Sequence, residues 1–366
     1  MNIGIIGTRG IPNRYGGFEQ YVEYLAPELV KRGHSVTVYN PAHHPNRDTF
    51  WKGVKIVRKP DPQFMGSFSQ FIYDLACILH SRSQHYDLIL QLGYTSSSIW
   101  SRFFPSTALV VTNMDGLEWM RTKYSPPVKR FLKWAEGLAV KHSDYLIADS
   151  PGIRVYLLRS YGVDSKYIAY GTEIFDHPNE DVIARLGLDA YQYDMLIARI
   201  EPENNVDVII EAHVKANSNR PLLVIGNHKA TALGRYLYKR FSAANVRFMG
   251  PIYDMEVLNN LRFYSNLYFH GHSVGGTNPS LLEAMASGAL ICASDNPFNR
   301  AVLRDAGLYF KGVDDLVDLI EKEKKNADDP RLAGIRKIVV ENYTWPKIID
   351  ETEAFLMSIL KSRCEA

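Results

Sequence analysis

At 366 residues the chain is too long for one ordinary domain and suits two of roughly 150–200 residues each. A hydrophobic share of 46% supports two buried cores, and a net charge of +2 gives no global electrostatic argument for a nucleic-acid partner. Three scattered cysteines, Cys77, Cys292 and Cys364, show no C-x-x-C spacing; this argues against a disulfide framework or structural zinc and fits a reducing cytoplasm.

The opening MNIGIIGTRG reads as strand and turn, so no signal peptide is expected. No apolar run approaches the ~20 residues that span a bilayer. Short apolar runs then alternate with longer amphipathic ones, the pattern of βαβ units and a mostly parallel sheet. In the first half the predicted strands are Asn2–Ile6, Ser35–Tyr39, Val54–Arg58, Leu88–Leu92, Leu109–Thr112 and Tyr145–Ala148. A helix is predicted over Glu19–Lys31, with Val22, Leu25 and Leu29 on one face, loosened or kinked at Pro27 and ended by Gly33. The second half restarts the rhythm with strands at Tyr193–Ala198, Leu222–Ile225, Val246–Met249, Leu267–His270, Leu290–Ala293 and Leu308–Phe310. Helices are expected near Val206–Ala216, Ala230–Phe241, Asp254–Phe263, Pro279–Ala286 and Val313–Lys324. Trp345–Lys361 reads as a final amphipathic helix with Pro346 near its first turn. Two such halves in tandem predict two Rossmann-like domains rather than an eight-fold barrel. The boundary is expected within Tyr170–Tyr193, giving domains 1–175 and 176–344 and a terminal helix 345–366.

Four segments carry candidate chemistry. Gly7-Thr8-Arg9-Gly10 to Gly16-Gly17-Phe18-Glu19 joins the first strand to the first helix. Its glycines let backbone N–H groups approach a ligand, or simply form a long turn. No G-x-G-x-x-G occurs, and the second strand ends in Tyr39-Asn40 without the acid that holds a ribose in NAD enzymes, which disfavours a dehydrogenase. Asp115, in Asn113-Met114-Asp115-Gly116, follows a buried strand, where ligands bind in open α/β sheets. It is placed to orient an acceptor hydroxyl or take its proton, or else to cap the next helix; Trp119 and Arg121 add stacking and anion-binding groups. Arg199, leaving the first strand of the second half, suits a diphosphate, or a surface pair with Glu201 or Glu203. The fourth segment, His270 to Gly288, is the most informative. Gly275 and Gly276 form a turn, Asn278 and Pro279 read as N-cap and first helical residue, and the free N–H groups behind them suit a diphosphate. Glu283 is placed for ribose hydroxyls, or for dipole compensation. His270 and His272 lack a third partner for a metal.

The combination GTRGIPNRYGGFE, MDGLEW, ARIEPENN and HSVGGTNPSLLEAMASG resembles the retaining glycosyltransferases of GT-B fold, family 4-like, and more narrowly their bacterial rhamnosyltransferase-like branch. The resemblance runs over nearly the whole chain. It implies an α/β architecture of two Rossmann-like domains facing across a cleft, with a C-terminal helix packing back on the first. It implies a nucleotide-sugar donor held mainly by the second domain and no metal ion or other cofactor. Residue by residue, Glu283 matches the ribose-binding glutamate, Arg199 the diphosphate-binding arginine, and Gly276 and Thr277 the loop beside sugar and phosphates. Gly16 and Gly17 match the glycine loop that closes over the donor. With Asn204, His272, Gly275 and Asn278, these form the expected donor site, and Asp115 is the catalytic candidate. Three positions depart from the family pattern. The first acid of its E-x7-E pair is Gly275, its phosphate-binding lysine is Asn204, and its first-domain histidine is replaced by Asp115. The branch implies dTDP-L-rhamnose as donor, ahead of UDP- or GDP-linked hexoses, and a saccharide or lipid-linked acceptor. It also implies front-face displacement, in which the departing diphosphate takes the acceptor proton. The basic, apolar stretch Arg121–Lys141 then predicts peripheral association with the inner face of the cytoplasmic membrane. An epimerase of the same fold and a non-catalytic donor-binding subunit are the alternatives.

Overall fold

The computed structural model describes residues 1–326 and 328–365. The chain divides into two units: residues 1–120, 124–171 and 345–366 form the first, and residues 121–123 and 172–344 the second.

The first unit is built on an eight-stranded sheet. Its strands are β1 (Asn2–Ile6), β2 (Ser35–Pro41), β3 (Phe50–Trp51), β4 (Val54–Lys59), β5 (Leu88–Leu92), β6 (Leu109–Asn113), β7 (Tyr145–Ala148) and β8 (Lys166–Tyr167), in the order β3-β4-β2-β1-β5-β6-β7-β8. Only β3 runs antiparallel to its neighbour. The second unit holds β9 (Asp194–Ile197), β10 (Leu222–Ile225), β11 (Val246–Gly250), β12 (Tyr268–His270), β13 (Ile291–Ser294) and β14 (Leu308–Phe310), all parallel, in the order β11-β10-β9-β12-β13-β14. Central strands such as β5 and β10 are buried along their whole length, because helices cover both faces of a parallel sheet. In both sheets the chain winds outward from the first strand on one side and then returns to its other side. The strand order thus reverses between β1 and β5, and again between β9 and β12. The expectation of two Rossmann-like domains holds.

The two-residue strands β3 and β8 were not expected from sequence, being too short to show alternation. The helices Ser69–Ser81 and Pro330–Asn342 were missed too: apolar residues lie nearly all round the first, and in the second they form no single stripe. The first helix, Gly17–Lys31, continues through the buried Pro27 to its end, with Val22, Leu25 and Leu29 in the core. Trp345–Glu365 belongs to the first unit and packs on that helix. Trp345 stacks on Tyr24 at 4.4 Å between ring centroids, and a Cβ on Gly171 would lie 2.4 Å from the indole. Tyr21 Oη and Thr352 Oγ1 are hydrogen-bonded at 2.9 Å, and Glu353 accepts from Arg32 at 2.6 Å. Burying Trp345, Ile348, Leu356 and Ile359 stabilises this packing by about 1.5–3 kcal/mol per side chain.

One buried acid of the first unit makes stability depend on pH. Asp74 accepts from Ser96 Oγ at 2.5 Å and from Gln70 Nε2 at 2.9 Å. Burial raises its pKa to about 6, against the opposing pull of those two donors. An unfolded aspartate titrates near 3.9, so between about pH 4 and 6 the folded chain holds a proton that the unfolded chain releases. The stability from this group is fully present below about pH 4 and is lost as pH rises through 6, a change of about 3 kcal/mol. Asp74→Asn should flatten that slope in urea unfolding measured between pH 4 and 7. Equal slopes in the two proteins would rule the titration out.

Candidate active site

In a doubly wound sheet the loops at the carboxyl ends of the strands flanking the reversal diverge and leave a crevice between them. In the second unit these are the loop after β9, residues 198–205, and the loop after β12, residues 271–278. They are stitched together. Asn205 Nδ2 donates to the Gly271 carbonyl at 2.8 Å, and Ser273 donates to the Glu203 carbonyl through its N–H at 2.9 Å and its Oγ at 2.8 Å. The approach is so close that a Cβ on Gly271 would lie 2.1 Å from the Asn204 carbonyl oxygen. Asn204 is buried, and its Nδ2 donates to the Arg199 carbonyl at 2.7 Å. The amide expected to hold the donor is engaged within its own loop, where it shapes the turn that presents Arg199.

The second loop ends as read from sequence. Gly275 has φ +139°, a conformation that favours glycine. Gly276 and the buried Thr277 follow. Asn278 Oδ1 accepts from the Ser280 N–H at 3.0 Å and caps the helix Pro279–Ala286. Residues 275–278 thus lead into a helix N-terminus, which attracts anions. His272 stands beside it, its pKa lowered to about 3 by burial and then by the nearby charges of Arg199 and Arg121. The imidazole stays neutral at physiological pH, and the same electrostatics place two guanidinium groups in its neighbourhood. His270 is buried, and stacks on His272 at 4.3 Å with neither ring nitrogen hydrogen-bonded. Among the described residues no three metal-ligating side chains converge.

Residues 121–123, and Arg121 with them, cluster with the second unit. There Arg121 Nη1 lies 3.8 Å from Glu203 Oε1, and Thr122 Oγ1 donates to Glu203 Oε2 at 3.1 Å. Glu283 has a partner that sequence reasoning missed. Arg262 Nη2 donates to Glu283 Oε2 at 2.5 Å and Nη1 to Asn259 Oδ1 at 2.9 Å, from a side chain 1% exposed. The signal was present: Leu258, Leu261 and Arg262 share one face of Met255–Tyr264, so an arginine occupies a core position.

The first unit has its own switch-point loop. Gly7, at φ +94°, brings the chain so near β5 that a Cβ would sit 2.2 Å from the Leu92 carbonyl oxygen. Asn40 clamps the loop, accepting from the Ile11 N–H at 3.1 Å and donating to the Ile11 carbonyl at 2.8 Å. This is the position where NAD enzymes carry an acid; here it holds backbone. Glu19 Oε1 accepts from the Arg9 N–H at 2.5 Å, and burial raises its pKa against that bond. Gly16 precedes the helix that begins at Gly17. Asp115 follows β6 at φ +43°, with its N–H donating to Asn113 Oδ1 at 3.0 Å. A short 3₁₀ turn, Glu118–Met120, follows it, and the next α-helix, Pro126–His142, begins only after Ser125. Asp115 lines a pocket of about 190 Å³ with Phe18, Tyr94, Thr95, Glu118 and Tyr124. The wall behind it is pinned by the buried Glu136, which accepts from Trp119 Nε1 at 3.0 Å, Lys133 Nζ at 2.8 Å, and Tyr156 Oη and Tyr161 Oη at 2.6 Å each. Lys133 also donates to Tyr156 Oη.

Comparison with solved structures decides the architecture. Sucrose-phosphate synthase from Thermosynechococcus elongatus superposes with a TM-score of 0.77 at 18% identity, over 99% of both chains. HepE from Anabaena, solved in complex with UDP, gives 0.75 at 16% identity, over 98% of this chain and 100% of that one. The fold is GT-B. Within this GT-B chain, residues 190–335 match the model for glycosyl transferases group 1, and residues 1–173 match a domain of unknown function, DUF1972. A phosphatidyl-myo-inositol mannosyltransferase from Mycobacterium tuberculosis is 26% identical over 320 residues, 79% of this chain and 77% of the relative. An uncharacterized 42.6 kDa protein of the Klebsiella pneumoniae cps region is 43% identical over 61 residues, 16% of each chain. The segment that matches the group 1 model contains β9 to β14 and both loops of the second switch point.

Proposed function

We propose that this GT-B protein is a retaining glycosyltransferase that moves a sugar from a nucleotide donor to a glycan or lipid-linked saccharide in bacterial surface polysaccharide synthesis. The first candidate donor is dTDP-L-rhamnose, on the strength of the branch resemblance. The observation that carries the reading is the second-unit switch point. There Arg199, neutral His272 and the Asn278-capped helix start collect groups suited to a diphosphate, on the segment that matches the glycosyl transferases group 1 model. Glu283, oriented by Arg262, is assigned the ribose hydroxyls. Gly275, Gly276 and Thr277 are assigned the sugar side. As the acceptor oxygen bonds to the anomeric carbon, the bond to the diphosphate breaks, and the leaving oxygen receives the electron pair and the acceptor proton. Asp115 orients the acceptor hydroxyl, and no metal ion takes part. Relatives offer other donors: by their names, one acts as a mannosyltransferase and another binds UDP. We place the reaction at the inner face of the cytoplasmic membrane. The phosphatidyl-myo-inositol named for one relative supports a lipid-linked acceptor. No helix among the described residues is long and apolar enough to cross a membrane.

The test is a thermal-shift panel of dTDP-L-rhamnose, UDP-glucose, UDP-galactose, UDP-N-acetylglucosamine, GDP-mannose and NAD(H). A ligand at 100 times its Kd stabilises the fold by about 2.7 kcal/mol, enough to move the melting temperature. One nucleotide sugar should shift it, and Arg199→Ala should weaken that binding by about tenfold or more, since charge-assisted hydrogen bonds contribute about 1.5–3 kcal/mol. A response to NAD(H) alone sinks the reading. Asp115→Asn should bind donor normally yet transfer slowly; full activity with an unchanged pH profile removes Asp115 from the mechanism. The internal commitment of Asn204, and Gly275 where the family carries an acid, favour one other reading, a non-catalytic donor-binding subunit. Donor bound but never consumed would select it.

A further inference from the structure

We propose that the first unit docks on an anionic lipid bilayer through an aromatic ridge formed by the turn at residues 63–68 and the outer face of Pro126–His142. This rests on the membrane reading above and identifies the part of the chain that enters the lipid. The turn Gln63-Phe64-Met65-Gly66-Ser67-Phe68 is exposed at every residue, with Phe64 at 90%, Phe68 at 69% and Met65 at 41% of full exposure. Large apolar side chains grouped on a surface mark a binding face.

The ridge is continuous. Ring centroids run from Phe68 to Phe71 at 5.9 Å, from Phe71 to Phe131 at 5.9 Å, and from Phe131 to Trp134 at 5.8 Å, with Trp134 55% exposed. Trp100 Nε1 donates to the Phe71 carbonyl at 2.9 Å, which fastens the turn Ser98–Phe103, with exposed Phe103, beside them.

Charge selects the occupant. The three contributing segments, residues 62–73, 95–107 and 124–135, contain no Asp or Glu. They carry Arg102, Lys129 and Arg130, while Lys133 is engaged by Glu136. Cations among exposed aromatics, with no carboxylate on the same segments, complement anionic headgroups over an apolar layer. Tryptophan is itself favoured at that boundary. The helix alone is not enough. Leu132, Ala135 and Ala139 face the core, and of the cations in the basic stretch Arg121 and Lys133 lie against Glu203 and Glu136. The apolar wedge comes from the turn at residues 63–68, a segment the sequence reading did not single out.

The experiment is sedimentation of the full chain with phosphatidylglycerol-rich vesicles and with pure phosphatidylcholine vesicles, at low and high salt. The wild type should bind the anionic vesicles, and less so at high salt. Phe64→Ser with Phe68→Ser should weaken binding by at least about tenfold. Lys129→Gln with Arg130→Gln should weaken it and reduce its salt dependence. These residues are at the surface, so melting temperature and the donor-induced shift should stay as in wild type. If wild type binds and the Phe64/Phe68 variant binds equally well, the ridge is excluded while the membrane reading stands. If wild type binds no vesicle, both fall. If the variant instead abolishes a concentration-dependent dimer, the face belongs to a second copy and the proposal is overturned.

Discussion

Arg262→Met should lower the unfolding free energy by about 3 kcal/mol in urea titration, and should weaken donor binding in the same protein. Arg262 is 1% exposed and lies on the core face of its helix, flanked by Leu258 and Leu261. Its two terminal nitrogens are spent on Asn259 and Glu283. Methionine fills much of the volume, so a cavity contributes little. What remains is a carboxylate, 16% exposed, that has lost its cation. Breaking a buried pair costs about 3–5 kcal/mol, and the partial exposure of Glu283 places the expectation at the low end. Glu283→Gln separates the two consequences. The neutral amide still accepts from Arg262, so stability should fall less, while a ribose hydroxyl loses its charged acceptor. A stability loss under about 1 kcal/mol for Arg262→Met would mean that the pair is not formed in solution.

Glu136→Ala is the second large effect, about 3–5 kcal/mol, because four strong donors would lose one acceptor. Trp119, Lys133, Tyr156 and Tyr161 come from a turn and two helices of the first unit, so the glutamate ties together elements that do not adjoin in the chain. Trp119 also belongs to the turn that follows Asp115. Loss of the tie should therefore loosen the Asp115 pocket, raising the amide exchange of residues 114–120 more than that of the central strands. Glu136→Gln keeps an acceptor and the volume, and should recover part of the stability. Uniform exchange across the first unit in Glu136→Ala would show that Glu136 supports the core generally rather than this wall.

Much of the scaffold was legible because its causes are local. β1, β5, β7, β10 and β14 coincide with their apolar runs. The cap at Asn278, the first helical Pro279 and the turn glycine Gly275 were readable from residue type alone, since each expresses a preference of its own backbone. The partners of those residues were not legible. Asn204 read as a ligand group, and its Nδ2 holds the Arg199 carbonyl; Arg121 read as an anion-binding group, and it lies against Glu203. Glu19 and Asn40 turned out to be clamps on the first loop. In each case a polar side chain has several hydrogen-bond or charge partners within its reach, and only the packed chain selects among them.

The sequence by itself determined two α/β halves, the helix start capped by Asn278 and the absence of a dinucleotide fingerprint. These follow from periodicity and from backbone preferences within a few residues. The tertiary structure alone decided that β9 and β12 are neighbours, that Arg262 supports Glu283 across 21 residues and Glu136 gathers its donors across up to 25, and that Phe68 continues into Trp134. Those contacts depend on which buried surfaces close against each other, and that choice is made by the whole core rather than by any single segment.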